Sequence, residues 1–149
     1  MVGEIYMQNY IKFPVTIFAM SLILTMILYV IFVISDLITG FSNAPLLLNI
    51  DFLVNYKFIN IFEELLVHFL ITLTIVCFTT VVYLNFYKLK FLYLSCLMII
   101  FIMLYPLLIL LSKRQFFHYE IGAHIVWLIA HLMFIVLLNF SVKKLIVNI

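Results

Sequence analysis

The chain has 149 residues, of which 68% are hydrophobic and 9% are charged, whereas about 25% of the residues in a soluble domain carry charge. This chain has too little charge to cover a folded domain in water, so we expect lipid to surround most of it. Its formal net charge of +2 comes from eight basic and six acidic residues scattered along the chain, and no basic stripe suited to direct nucleic-acid binding is present.

Four apolar runs follow one another along the chain, over residues 13–35, 61–84, 91–111 and 121–142. Each is close to the ~20 residues that a helix needs to cross ~30 Å of hydrocarbon. Backbone amides in lipid must be satisfied inside a helix or a closed barrel, and the period-2 alternation of barrel strands is absent. The sequence therefore predicts one all-α transmembrane domain, residues 1–149, with four spanning helices.

The connection between the first two helices, residues 36–60, is much longer than the other two connections. It is too apolar for a solvated linker, yet Asn, Asp and Lys interrupt it too often for it to span the bilayer. We expect an interfacial segment here. A short interfacial helix, a lid over the bundle and a loop folded onto the helix ends are all compatible with this pattern.

Basic residues in short loops indicate which side of the membrane is cytoplasmic. Because four spans place both termini on one side, the chain divides its basic residues into two groups. The group on the side of the termini is the larger: Lys12, Lys88, Lys90, Lys143 and Lys144, against Lys57, Lys113 and Arg114. We therefore predict that both termini are cytoplasmic.

A candidate intramembrane polar cluster lies on the second and fourth helices, which begin with ELLVH and EIGAH. Ionisable groups inside a bilayer are costly, so each is a functional hypothesis. Both helices enter from the same side, which places their Glu-x-x-x-His stretches at similar depth. If their faces meet, they form one site suited to proton relay or to a transition metal, and otherwise they are interhelical hydrogen bonds. The residues are Glu64, His68, Glu120, His124 and His131.

Cofactor and enzyme patterns are largely missing. A di-iron carboxylate site uses Glu-x-x-His spacing, which differs from the spacing here, and a haem between His68 and a histidine of the fourth helix is the one geometry left open. Glu63 and Glu64 followed by His68 resemble the paired glutamates of intramembrane CAAX-type proteases, but the arginine that should follow them is absent. Nucleophile elbows and phosphate loops are absent too. We predict no enzyme activity, cofactor or metal.

With only three glycines, the GxxxG type of close helix crossing is not available. The helices are bulky and apolar on nearly every face, and they carry polar stripes that need burial. This combination favours a homo-oligomer or the membrane anchor of a larger complex.

In size and four-helix plan the chain is similar to the small membrane subunits of two-gene bacterial anti-phage systems such as Kiwa. This resemblance, which involves no residue motif, implies an oligomeric inner-membrane sensor or anchor. The partner would be a cytosolic protein, docked through the cytoplasmic lysines Lys88, Lys90, Lys143 and Lys144.

Two functional hypotheses follow. The first is a non-enzymatic multi-pass membrane subunit, which anchors, senses for or regulates a partner protein. The alternative is a small oligomeric proton or ion channel, or a transporter, that uses the Glu and His residues of the second and fourth helices.

Overall fold

In the computed structural model, the described residues are 2–54 and 59–147, with side chains from residue 13 onward. The helices are α1 (Val2–Thr39), α2 (Asn43–Leu47), α3 (Ile61–Asn85), α4 (Lys90–Leu111) and α5 (Ile121–Val147), and a 3-10 turn, Tyr87–Leu89, joins α3 to α4. All of them except α2 are long and apolar enough to cross a membrane. The predicted all-α fold, with four helices long and apolar enough to span a membrane, is confirmed.

Two helices extend beyond their apolar runs. Helix α1 occupies Val2–Thr39 where the run covers 13–35, and α5 continues to Val147 where the run ends at 142. Hydropathy detects only the part of a helix that crosses lipid, whereas helical backbone continues through polar residues that favour it, such as Lys143 and Lys144. The bounds of α3 and α4 agree with their runs to within one residue.

Helix α5 lies at the centre of the bundle. It packs against α1, α3 and α4, while α1 packs against α3 and α5. Phe32, Trp127, Leu138 and Val142 are fully buried where these helices meet, and the rings of Phe32 and Trp127 stack with centroids 5.2 Å apart. Helices α3 and α4, joined by a short turn, share few close backbone contacts, and the Tyr93 hydroxyl of α4 lies 3.1 Å from the Thr79 hydroxyl of α3.

Buried hydroxyl groups in the spans are satisfied by their own helix. Ser21 donates to the carbonyl oxygen of Ile17 at 2.8 Å, Thr25 donates to that of Ser21 at 2.8 Å, and Thr80 donates to that of Val76 at 2.8 Å. Each bond removes the cost of placing an unpaired polar group in an apolar interior.

Helix α1 ends where the chain turns back over the bundle. Gly40 adopts a φ of 75°, which side-chain-bearing residues rarely adopt, and its N–H donates to the Asp36 carbonyl oxygen at 2.8 Å. The Asp36 carboxylate accepts from the N–H groups of Asn43 (3.0 Å) and Ala44 (2.7 Å). These bonds tie the start of α2 to the end of α1.

Residues 40–54, which we call the loop segment, are folded onto the helix ends. Leu46, Leu48 and Ile50 are buried, and the side-chain amide of Asn43 donates to the Ala123 carbonyl oxygen at 3.1 Å. Of the arrangements that the sequence left open, the structure therefore has a folded-back loop that contains one short helix. Lys57, counted above on the outer side, lies outside the described residues.

The bundle has two different ends. At the loop end, α1 and α4 finish and α3 and α5 begin, beneath the loop segment. At the turn end lie the start of α1, the Tyr87–Leu89 turn and the end of α5. The two termini of the described chain therefore share one end, as an even number of spans requires.

Candidate functional site

The start of α3 separates the roles of two neighbouring glutamates. The Asn60 side chain accepts from the N–H groups of Phe62 (3.0 Å) and Glu63 (3.1 Å), and the Glu63 carboxylate accepts from the Asn60 N–H at 3.0 Å. This capping box occupies Glu63 at the helix start. Glu64, one residue later, is turned into the bundle and buried.

The loop segment contains a buried aspartate, Asp51, which is 0% exposed. Its N–H donates to the side-chain oxygen of Asn49 at 3.0 Å, and the Asn49 amide donates to the carbonyl oxygen of Leu108 in α4 at 3.4 Å. These bonds hold Asp51 above the interior of the bundle.

Arg114, in the connection between α4 and α5, joins Asp51 to Glu64. Its Nε and Nη2 atoms lie 3.2 and 3.1 Å from Asp51 Oδ1, and Nη2 also donates to Glu64 Oε1. Ser112 donates from Oγ to Asp51 Oδ2 at 3.3 Å, and Ser112 Oγ accepts from the Arg114 N–H at 3.1 Å. We call Asp51, Glu64, Ser112 and Arg114 the Arg114 cluster.

The Arg114 cluster holds two carboxylates against one guanidinium, all shielded from solvent. The side chains are exposed by 0% for Asp51, 9% for Glu64 and 17% for Arg114. Burial alone would lower the pKa of Arg114, but the hydrogen bond and charge of Glu64, together with Asp51, raise that pKa above its usual value. Arg114 therefore stays charged and compensates both acids.

Glu64, His68 and His131 line one cavity of about 140 Å³. The cavity lies mainly between α3, α4 and α5, with Leu28 of α1 in its wall and the loop segment over one end of it. His131 is buried, and its Nδ1 lies 2.9 Å from the Trp127 carbonyl oxygen. The Nε2 atom of His68 is buried with no hydrogen-bond partner.

Glu120 and His124 belong to a different neighbourhood of the loop end. Glu120 is paired with exposed His118. The His124 ring stacks on Tyr105 with centroids 4.6 Å apart and planes 9° apart, and its Nδ1 lies 3.0 Å from the Tyr119 hydroxyl. The structure thus brings three of the five candidate residues to one cavity and leaves these two outside it.

His118, at the exposed side of this neighbourhood, has a perturbed pKa. The Phe116 carbonyl oxygen accepts from its ring, and the Glu120 carboxylate adds a hydrogen bond and an opposite charge. Both effects favour the imidazolium form, so the pKa of His118 is raised.

The α3 face that carries Glu64 continues towards the turn end with Thr72 and Thr79, both buried. Val76 lies between them and is 0% exposed. The Thr79 hydroxyl donates to the Ile75 carbonyl oxygen at 2.7 Å. The polar stripe is therefore interrupted by an apolar residue within one copy of the chain.

The candidate partner lysines gather at the turn end. Lys88, Lys143 and Lys144 are exposed. Lys90 is half-buried, and its Nζ lies 3.6 Å from the centre of the Tyr87 ring, a cation–π contact.

Within residues 2–54 and 59–147, no group of three or more His, Cys, Asp or Glu side chains is placed to hold a metal ion.

Sequence reasoning missed the Arg114 cluster. Asp51 was treated only as an interruption of an apolar loop, and Arg114 only as an outer basic residue. A usable signal was present, because Arg114 is the single arginine of the chain, and arginine is the side chain that pairs best with buried carboxylates. Which acids it meets depends on how the loop folds.

Comparisons with protein-family models, with curated proteins and with solved structures found no match to this chain.

Proposed function

We propose that the protein is a non-enzymatic multi-pass membrane subunit that senses through its loop segment and anchors or regulates a partner protein at its turn end. One observation carries the proposal. The loop segment makes polar contacts with Asp36 in α1, Leu108 in α4, Ala123 in α5 and Arg114 in the connection, and Arg114 in turn pairs with Glu64 of α3.

This attachment supports a sensing role on mechanical grounds. A loop that is attached to a bundle only through its two chain ends can move without disturbing the helices. A ligand or protein that displaces this loop segment breaks its polar contacts with α1, α4 and α5 and with Arg114, which itself pairs with α3, so the four helices respond together. A two-state switch requires contacts that are present in one conformation and absent in the other, and the contacts of the loop segment meet this requirement.

The turn end supplies the surface for a partner. Lys88, Lys143 and Lys144 are exposed there, and they suit an acidic segment of a cytosolic protein. We propose that this end faces the cytoplasm, as the distribution of basic residues predicts, and that the membrane is a bacterial inner membrane.

The decisive experiment is quantitative co-purification from the native host. The wild-type chain should retain a partner at constant stoichiometry, and the combined variant Lys88→Glu, Lys143→Glu, Lys144→Glu should lose it. Lys113→Glu is the matched control, since Lys113 is an exposed lysine at the loop end. Equal retention by both variants would refute a partner surface at the turn end.

The proposed context is bacterial defence by a homo-oligomer, which rests on the resemblance to anti-phage membrane subunits. Deletion from the host should raise the plating efficiency of phages, and mass photometry in nanodiscs should give a multiple of the protomer mass. Unchanged plating across a diverse phage panel would remove the defence role, and a single protomer per disc would remove the oligomer.

A second candidate is a proton or ion pathway along α3. It is favoured by the inward face that carries Glu64, Thr72 and Thr79. It ranks second because fully buried Val76 interrupts that face. A pH- or ion-dependent current in proteoliposomes that His68→Leu abolishes would place it first, and the absence of any current would remove it.

A further inference from the structure

We propose that the cavity between α3 and α4 binds a lipid-soluble molecule built on a single ring that carries a hydrogen-bonding oxygen, the chemistry shared by quinones and phenols. The proposal is independent of the partner surface at the turn end, because binding is measured on the isolated protein. If the cavity binds no such ligand, the proposed subunit role still stands. If the turn end binds no partner, the proposed ligand site still stands.

The size of the cavity suits one ring. Its volume is about 140 Å³, close to the ~150 Å³ of an engineered apolar cavity that holds benzene. A helix of a partner protein, about 10 Å across with its side chains, is too wide for it.

The walls of the cavity favour a flat ring. Phe101, Trp127 and Phe134 line it, and all three are buried. Aromatic side chains attract another ring in stacked or edge-to-face arrangements, beyond the effect of buried area alone. Trp127 is held in place by a hydrogen bond from its Nε1 to the Phe101 carbonyl oxygen at 3.0 Å.

The imidazoles of His68 and His131 in the cavity wall favour a ligand ring that carries a hydrogen-bonding atom. His68 Nε2 is buried without a partner, which is costly in an apolar interior. His131 uses Nδ1 on the Trp127 carbonyl oxygen, so its proton is on Nδ1 and Nε2 is left as an acceptor. A saturated acyl chain would fill space but satisfy neither imidazole, whereas a carbonyl or hydroxyl oxygen can meet one.

The ligand would arrive from the membrane. Ile71 of α3 and Leu53 of the loop segment, which line the cavity, are exposed by 50% and 65%. Ile71 lies within the apolar span of α3, so this side of the cavity faces acyl chains. Substituents on the bound ring can therefore extend into the lipid beside Ile71.

Trp127 is a built-in reporter, since it is the only tryptophan of the chain and lies in the cavity wall. The probe is tetramethyl-1,4-benzoquinone, whose fully substituted ring does not alkylate the exposed cysteines Cys77 and Cys96. Titrated into nanodiscs that contain the protein, it should quench Trp127 fluorescence with saturation. The hydrocarbon 1,2,4,5-tetramethylbenzene, which lacks both oxygens, should displace it at least tenfold more weakly.

Three variants locate the site. Leu104→Phe adds volume to the cavity wall and should remove saturable quenching. His68→Leu removes an imidazole of the cavity and should weaken binding of the quinone by about two- to tenfold, the value of one hydrogen bond. His124→Leu is the matched control, because His124 also has a buried Nε2 without a partner but lies outside the cavity.

Non-saturable quenching, or equal competition by the hydrocarbon, would overturn the proposal. So would equal effects of His68→Leu and His124→Leu on affinity. Because a cavity variant could fail to fold, each protein is first checked by thermal unfolding, and the ligand comparison on the wild-type protein decides the question without any variant.

Discussion

Replacing Arg114 with glutamine tests whether the Arg114 cluster holds the loop end together. The substitution removes the cation that pairs with Asp51 and Glu64 in the described part of the chain, at side-chain exposures of 0% and 9% for the two acids. Removing one partner of a buried ion pair destabilises a protein by about 3 to 5 kcal/mol. Two acids depend on Arg114, so we expect the upper part of that range.

The assay is thermal unfolding in lipid nanodiscs, followed by the fluorescence of Trp127, which is fully buried. For a chain of this size, a destabilisation of about 4 to 5 kcal/mol corresponds to a fall in Tm of about 8 to 20 °C. Lys113→Gln is the control, because it removes a neighbouring exposed cation and should change Tm by less than about 2 °C.

A compensated variant separates charge from packing. Arg114→Met combined with Asp51→Asn and Glu64→Gln removes all three charges, and neutral replacement of a buried ion pair is often tolerated. It should recover most of the Tm lost in Arg114→Gln. The reasoning is refuted if Arg114→Gln unfolds at the wild-type temperature, or if the triple variant is no more stable than the single one.

Three further tests concern the loop end. The raised pKa of His118 comes from the Phe116 carbonyl oxygen and from Glu120. The imidazolium–carboxylate pair with Glu120 is therefore lost as pH rises through the pKa of His118. Glu120→Gln should lower the pKa of His118 in an NMR titration, and an unchanged pKa would contradict this. Gly40→Ala, at φ 75°, should destabilise the protein by about 1 kcal/mol in the same unfolding assay, and an unchanged Tm contradicts this. Asn43→Leu removes the second hydrogen bond to an α5 carbonyl oxygen, that of Ala123, and should cost about 0.5 to 1.5 kcal/mol, whereas a gain in stability would show that the bond is dispensable.

The local sequence pattern placed Glu64 and Glu120 at a similar depth but could not predict whether they share one site. Glu64 and Glu120 stand at the same end of the bundle, as the common direction of α3 and α5 requires. Their surroundings differ, because Glu64 is buried beside Arg114 while Glu120 is paired with exposed His118. Glu64 lies in α3, and the rotation of that helix about its axis turns it inward, whereas Glu120 lies just before α5 begins and its position depends on the fold of the connection. Helices that are apolar on nearly every face carry almost no signal for rotation.

The four spanning helices could be read directly from the chain, since hydropathy and length are local properties and lipid leaves a helix as the only form for such runs. The Arg114 cluster could not, because its ion pairs join residues 50 and 63 positions apart. The same holds for the cavity, whose lining comes from α3, α4, α5 and the loop segment. Contacts at such separations exist only once the bundle has packed and the loop segment has closed over its end.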